Sequence, residues 1–155
     1  MKLQEHAIQL QGIRVLELGL NVFDIEKAQS PDLNLPFSFG VGVTEFDEEN
    51  RVIGVGIKGT IGNDGSEDGE DNRSPFVVKA HILGQFVIDT DSFPLKHISE
   101  WAQKNAPLIL LPFLREHIYG LASRAGIREV VVPLYTLPVY KVDKQPSLTS
   151  SKKDE

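Results

Sequence analysis

Two stretches of this chain, FSFGVGV (37–43) and VIGVGIKGTI (52–61), alternate apolar residues with glycine or polar residues along most of their length. A strand is the element whose side chains change face at every residue. One face therefore receives Phe37, Phe39, Val41 and Val43 from the first stretch and Ile53, Val55, Ile57 and Ile61 from the second. The other face receives only Ser38, Gly40 and Gly42, then Gly54, Gly56, Lys58 and Thr60. Such a bare face suits a flat surface or the close approach of another backbone. The short DEENR between the stretches predicts a hairpin, and with it an antiparallel sheet.

Two further runs extend that sheet. FVVKAHILGQFVI places Phe76, Val78, Ala80, Ile82, Phe86 and Ile88 on one face. AIQLQGIRVLELGL alternates less regularly: Ile8 and Leu10 share a phase, Ile13 and Val15 follow after a slip at Gly12, and Leu16, Leu18 and Leu20 follow after another. A phase slip beside a glycine predicts a bulge. The segment NVFDIEKAQSPDLNLP, with its two prolines, reads as an irregular connection. GNDGSEDGEDNRSP carries five carboxylates and no apolar side chain, so it reads as a solvated, mobile loop. Its spacing does not match a calcium-binding loop.

After residue 91 the period changes. DSFPLKHISEWAQKN offers Asp91 or Ser92 as a cap and spaces Leu95, Ile98 and Trp101 for a short helix. PLILLPFLREHIYGLASRAG predicts a longer one, with Leu110, Phe113, Leu114, Ile118, Leu121, Ala122 and Ala125 in one stripe and Gly126 as a left-handed cap. Pro112 reads as its first-turn proline. Strands followed by helices predict an α+β fold: a four-stranded antiparallel sheet with helices packed on one face. The 155 residues suffice for a single domain, set at 1–140, with 141–155 as a disordered polar C-terminal tail.

Composition narrows the function classes. With no cysteine there is neither a disulfide framework nor a thiolate metal site, which fits a cytoplasmic location. The start MKLQEHAIQLQG has no apolar core for a secretory leader, and no apolar run is long enough for membrane insertion. Sixteen Lys and Arg against 22 Asp and Glu leave a net charge of -6, which repels nucleic acid. His6, His81, His97 and His117 lie on different elements without metal-ligand spacing, so no metal or other cofactor is expected. No nucleophile elbow and no glycine-rich turn leading into a helix occurs, so the chain does not read as an enzyme. Arg115 and Glu116, adjacent on the long helix, do not pair with each other and read as structural, capping loops or bridging to another chain.

The segment APLILLPFLREHIYGLASRAG resembles the helical signature of the SecB family of protein-export chaperones through Pro107, Ile109, Leu110, Pro112, Phe113, Arg115, Glu116, Ile118, Leu121, Ser123 and Arg124. Pro133 follows at the family's interval, and FVVKAHILGQFVID and IQLQGIRVLEL are similar to its fourth and first strands. The resemblance implies a chaperone that binds unfolded or partly folded polypeptides without ATP, and a homo-oligomer, dimer or tetramer, with the long helices between sheets. Phe113, Arg115 and Glu116 are the corresponding interface candidates. It further implies an apolar groove formed partly by the first long connection. Leu33, Leu35 and Phe37, with Phe39 beside them, are the polypeptide-binding candidates; sheet-edge core is their other reading. The family docks the SecA motor on its outer sheet face, where Glu17 and Val77 are the candidate positions. Asn21 and Lys79 stand where the family is acidic, the connection lacks the family's tryptophan, and Tyr135 replaces an asparagine. These departures leave open a SecB-fold adaptor with one dedicated partner, such as a toxin–antitoxin chaperone.

Overall fold

The computed structural model describes residues 1–67, 69–127 and 130–141. The elements run β1 (Ile8–Val22), α1 (Ile25–Ala28), β2 (Phe37–Val43), β3 (Val52–Ile61), β4 (Phe76–Ile88), α2 (Ile98–Lys104) and α3 (Ala106–Arg124). The strands form one antiparallel sheet in the order β1-β4-β3-β2, and the helices pack on one face of it. Most of the tail predicted to be disordered, 142–155, lies outside the described residues.

The uneven alternation of β1 has a simple resolution. Its pairing with β4 shifts register between Leu10 and Gly12 and again between Val15 and Glu17. Each shift inserts one unpaired residue, and each insertion reverses the phase of everything beyond it. Ile8, Leu10, Ile13, Val15, Leu18 and Leu20 therefore stand opposite Ile88, Phe86, Gly84, Ile82, Ala80 and Val78, all on the helix-bearing face.

The long helix reaches that face because two glycines let it. Only 2.6 Å separates Leu110 Cδ2 from the point a Cβ on Gly84 would occupy, and 2.9 Å separates Leu114 Cδ2 from the same point on Gly59. The buried face of α3 comprises Pro107, Leu110, Leu111, Leu114, Ile118 and Ala122. Phe113 leaves the predicted stripe and is 44% exposed, because a step of three residues rotates it about 60° away from Leu110. The helix begins at Ala106, so Pro107 is its first-turn proline and Pro112 lies inside it. Pro112 is tolerated on the solvent side, where the carbonyl that loses its amide partner stays close to water. At the far end Gly126 adopts φ 77°, the Gly126 amide donates to Ser123 O and the Ile127 amide to Ala122 O. This is the double bond of a Schellman cap, and the side chain of Ile127 is buried beside it.

Neither Asp91 nor Ser92 caps α2. Both instead bond to the Asp89 carboxylate, and a 3-10 turn at Leu95–His97 leads into the helix. Trp101 then anchors α2 edge-on to Phe86, with ring centroids 5.2 Å apart.

The acidic loop is tied to the sheet near its ends. Asn63 and Ser74 exchange two bonds, the Ser74 amide donating to Asn63 O (2.7 Å) and the Asn63 amide to Ser74 Oγ (2.8 Å). Asp64 meets Lys79 at 2.8 Å. That ammonium, together with the Ser66 hydroxyl and amide, holds the Asp64 carboxyl well below the usual carboxylate range, and Asp64 in turn raises Lys79.

Candidate polypeptide-binding groove

The connection from β1 to β2 must carry the chain from one edge of the sheet to the other. It does so past the C-terminal end of α3. Asp24 caps the short α1 by accepting the Lys27 amide (3.0 Å), Ala28 enters the core, and Gln29 Nε2 donates to Gly126 O (3.4 Å). The connection then runs along an open groove of about 790 Å³ with Ile61 and Phe76 among its lining. Leu33, Leu35 and Phe37 line it from one segment, and Ile127, Val130 and Val132 from the segment that follows α3.

Tyr135 completes the groove. Its ring stacks on Phe37 with centroids 5.6 Å apart and planes 11° from parallel. Phe37 is stacked in turn on Phe39, 6.3 Å away. Among the described lining residues Tyr135 alone has an ionisable side chain; the polar remainder is Gln29, Ser30 and Asn34. Among the described residues the groove offers apolar side chains interspersed with exposed polar groups, and no acid–base pair.

The predicted binding residues come together here. Leu33, Leu35 and Phe37 line the groove, while Phe39 sits behind Phe37 and outside the lining. All four are half-buried and pack on the core, so the groove reading and the sheet-edge reading describe the same side chains. The predicted docking pair is not a pair. Glu17 is exposed on the outer face, 3.9 Å from Lys58 across the sheet, whereas Val77 is 1% exposed. The acidic loop reaches the same face, where Asp64 bonds Lys79, and the Arg73 guanidinium lies 4.0 Å from the Phe23 ring centroid. Of the predicted interface trio, Phe113 and Glu116 are exposed. Arg115 instead turns within the chain, its Nη2 donating to Pro133 O at 3.3 Å.

Several contributors escaped the sequence reading. Asn105, His97 and Tyr140 form a clasp on the far side of the same C-terminal segment. Tyr135 and Tyr140 occupy a proline-punctuated stretch whose only signal was aromatic side chains outside any periodic element. Among the described residues no group of His, Cys, Asp and Glu is arranged to hold a metal ion, and no helix is long and apolar enough to cross a membrane.

No family model matches the chain, and no curated protein matches it in sequence. Solved structures do. The SecB-like chaperone of Mycobacterium tuberculosis, in complex with a ChAD peptide from an antitoxin, superposes with a TM-score of 0.66 at 15% identity, over 86% of this chain and 94% of that one. A protein of unknown function from Streptococcus agalactiae gives a TM-score of 0.44 at 14% identity, over 82% and 97%. The chain has the SecB-like fold.

Proposed function

We propose that the protein is a chaperone that holds extended, unfolded polypeptide in this groove without nucleotide, in the cytoplasm. The observation that carries the reading is a wide, open groove beside the edge strand β2, in which the side chains of Leu33, Leu35, Phe37, Ile127 and Val132 stand among exposed polar groups, with no acidic, basic or thiol side chain among the described lining residues. Among the described residues β2 pairs only with β3, so its second backbone edge is available to a client strand. Backbone pairing and apolar area together accept many sequences, which is what a holding chaperone requires. The match to a SecB-like chaperone supports this reading. Light scattering of a client aggregating on dilution from denaturant tests it. Suppression is expected near one oligomer per client, and unaltered aggregation at that ratio overturns the reading.

A second reading has its own support. The M. tuberculosis structure holds a peptide from one antitoxin, and the outer sheet face here is of mixed charge, with Lys58, Lys79 and Glu17 together. Both features favour an adaptor with one dedicated protein partner over export through SecA, for which Glu17 would be reachable and Val77 would not. A pull-down yielding one stoichiometric protein, with no affinity for denatured clients, selects this reading.

Assembly belongs to the same proposal. On α3 the side chains of Ile109, Phe113 and Tyr119 are exposed, and on β1 so are Val15 and Leu18, which share the helix-bearing face yet lie outside the cover of the helices. Apolar surface of this kind is what a second copy covers in a symmetric dimer or tetramer. Sedimentation at micromolar concentration should show an oligomer, and Phe113→Asp should shift it toward monomer. A monomeric wild-type protein contradicts the proposal.

A further inference from the structure

The segment after α3, from Val130 to Lys141, folds back towards the start of the helix. Several of its contacts are of an unusual kind. Pro133 O accepts from Arg115, and Tyr135 stacks on Phe37. At Tyr140 the Asn105 side chain reads the main chain twice: its Oδ1 accepts the Tyr140 amide at 2.7 Å and its Nδ2 donates to Tyr140 O at 3.0 Å. The Tyr140 hydroxyl lies 2.6 Å from His97 Nδ1. Between these points the segment is poorly buried. Val131 is 65% exposed, Leu134 85% and Val139 50%, whereas Val132 is buried in the core and Val130 packs against it.

A side-chain amide that pairs with both the N–H and the C=O of one residue recognises an extended backbone whatever the side chain there. A ring face that stacks on Phe37 recognises an aromatic. A histidine nitrogen at hydrogen-bond distance from a phenol distinguishes tyrosine from phenylalanine. None of the three contacts depends on the segment belonging to this chain, and the exposed side chains between them contribute little to holding it.

We infer that the surface running from Phe37 to Asn105 and His97 is a binding track for an extended polypeptide carrying an aromatic residue and, five positions on, a tyrosine, and that residues 130–141 are a resident strap which such a partner replaces. The inference rests on the polypeptide-holding reading for the identity of the partner and adds to it the partner's pattern and the competitor it meets. Client affinity is then lowered by the fraction of time the strap is seated.

The test uses the full chain and a fluorescent peptide of sequence VVVPLYTLPVYK, the strap itself. In the double variant Tyr135→Ala/Tyr140→Ala the strap loses its two aromatic anchors and keeps only its main-chain bonds, while the track keeps Phe37, His97 and Asn105. The peptide should bind this variant about tenfold more tightly than wild type, the gain expected if the strap is seated nine-tenths of the time. Adding Asn105→Ala should remove that gain, and a peptide with phenylalanine at the second aromatic should bind the double variant more weakly. Equal affinity for wild type and double variant, or indifference to Asn105→Ala, overturns the inference. A second readout needs no variant: saturating peptide should accelerate chymotryptic cleavage of the wild-type chain at Tyr135 and Tyr140, and an unchanged rate overturns it equally. The two readings fail separately. Peptide binding to the double variant without any suppression of client aggregation sinks the general chaperone and keeps the track; suppression unchanged by the double substitution, with no peptide bound, does the reverse.

Discussion

Phe37→Asp should abolish client holding while leaving a folded protein. Phe37 stands at the junction of the groove, stacked between Phe39 and Tyr135 and half-buried at the start of the edge strand. A client covering that position would bury more of its apolar area, which contributes about 25 cal/mol for each Å² removed from water. An aspartate there must instead lose its hydration, and none of the described lining residues is basic. Replacing a central aromatic in a binding surface costs about 2 kcal/mol or more, which is roughly thirtyfold or more in affinity. In the light-scattering assay this becomes loss of suppression at any practical ratio. Phe37→Leu, which keeps the apolar area, should retain most of it. Val41→Asp is the control for charge on the strand: Val41 lies on the same face of β2, is 43% exposed and does not line the groove. If Phe37→Asp holds clients as well as Val41→Asp does, clients bind elsewhere.

How far the sequence predicted this arrangement follows from the range of the forces involved. Alternation in β2, β3 and β4 is a local pattern, and the strands match it nearly residue for residue. The two phase slips in β1, one beside Gly12 and one at Leu16, are local as well, and they mark real bulges because only a one-residue insertion keeps Leu10, Ile13 and Leu18 on one face. Gly126 is legible for the same reason, since a left-handed cap is a property of the backbone at that residue. The sequence reading fails where the outcome depends on distant partners. Phe113 looked apolar enough for the buried stripe, yet Leu110, Leu111 and Leu114 face the sheet and turn it to solvent. The acidic loop looked featureless, and one of its carboxylates finds Lys79 on the sheet. Gly40, Gly42, Gly54 and Gly56 drew notice as the bare face, whereas Gly59 and Gly84, on the opposite face, decide how closely α3 packs. In the candidate site, Leu33, Leu35 and Phe37 were recognisable because apolar residues in an irregular connection are conspicuous. Tyr135, Asn105 and Tyr140 were not, because their meaning arises only when the segment after α3 folds back.

Gly84→Ala is therefore the substitution that tests this close packing directly. Gly84 pairs with Ile13 on one side and Val55 on the other, so β4 is hydrogen-bonded along both edges at that point and its backbone has little room to recede. Above it, Leu110 is fully buried and Phe86 Cε2 lies 3.2 Å from the position a Cβ would take. A methyl group there must push Leu110 and with it the N-terminal half of α3, and overpacking of this kind costs about 1–3 kcal/mol. For a chain of this size that lowers the thermal midpoint by about 2–12 °C. The same substitution at Gly42 meets nothing within 4 Å and should be neutral or slightly stabilising, because an alanine restricts the unfolded chain more than glycine does. A double-mutant cycle separates contact from strand propensity. Leu110→Ala alone opens a cavity at a cost of about 2–5 kcal/mol, but the added methyl of Gly84→Ala partly fills it. The combined variant should thus be less destabilised than the sum of the two by at least about 0.5 kcal/mol, measured by urea denaturation. Additive losses would mean that α3 does not rest on Gly84, and the close seating of the helix on the sheet would have to be abandoned.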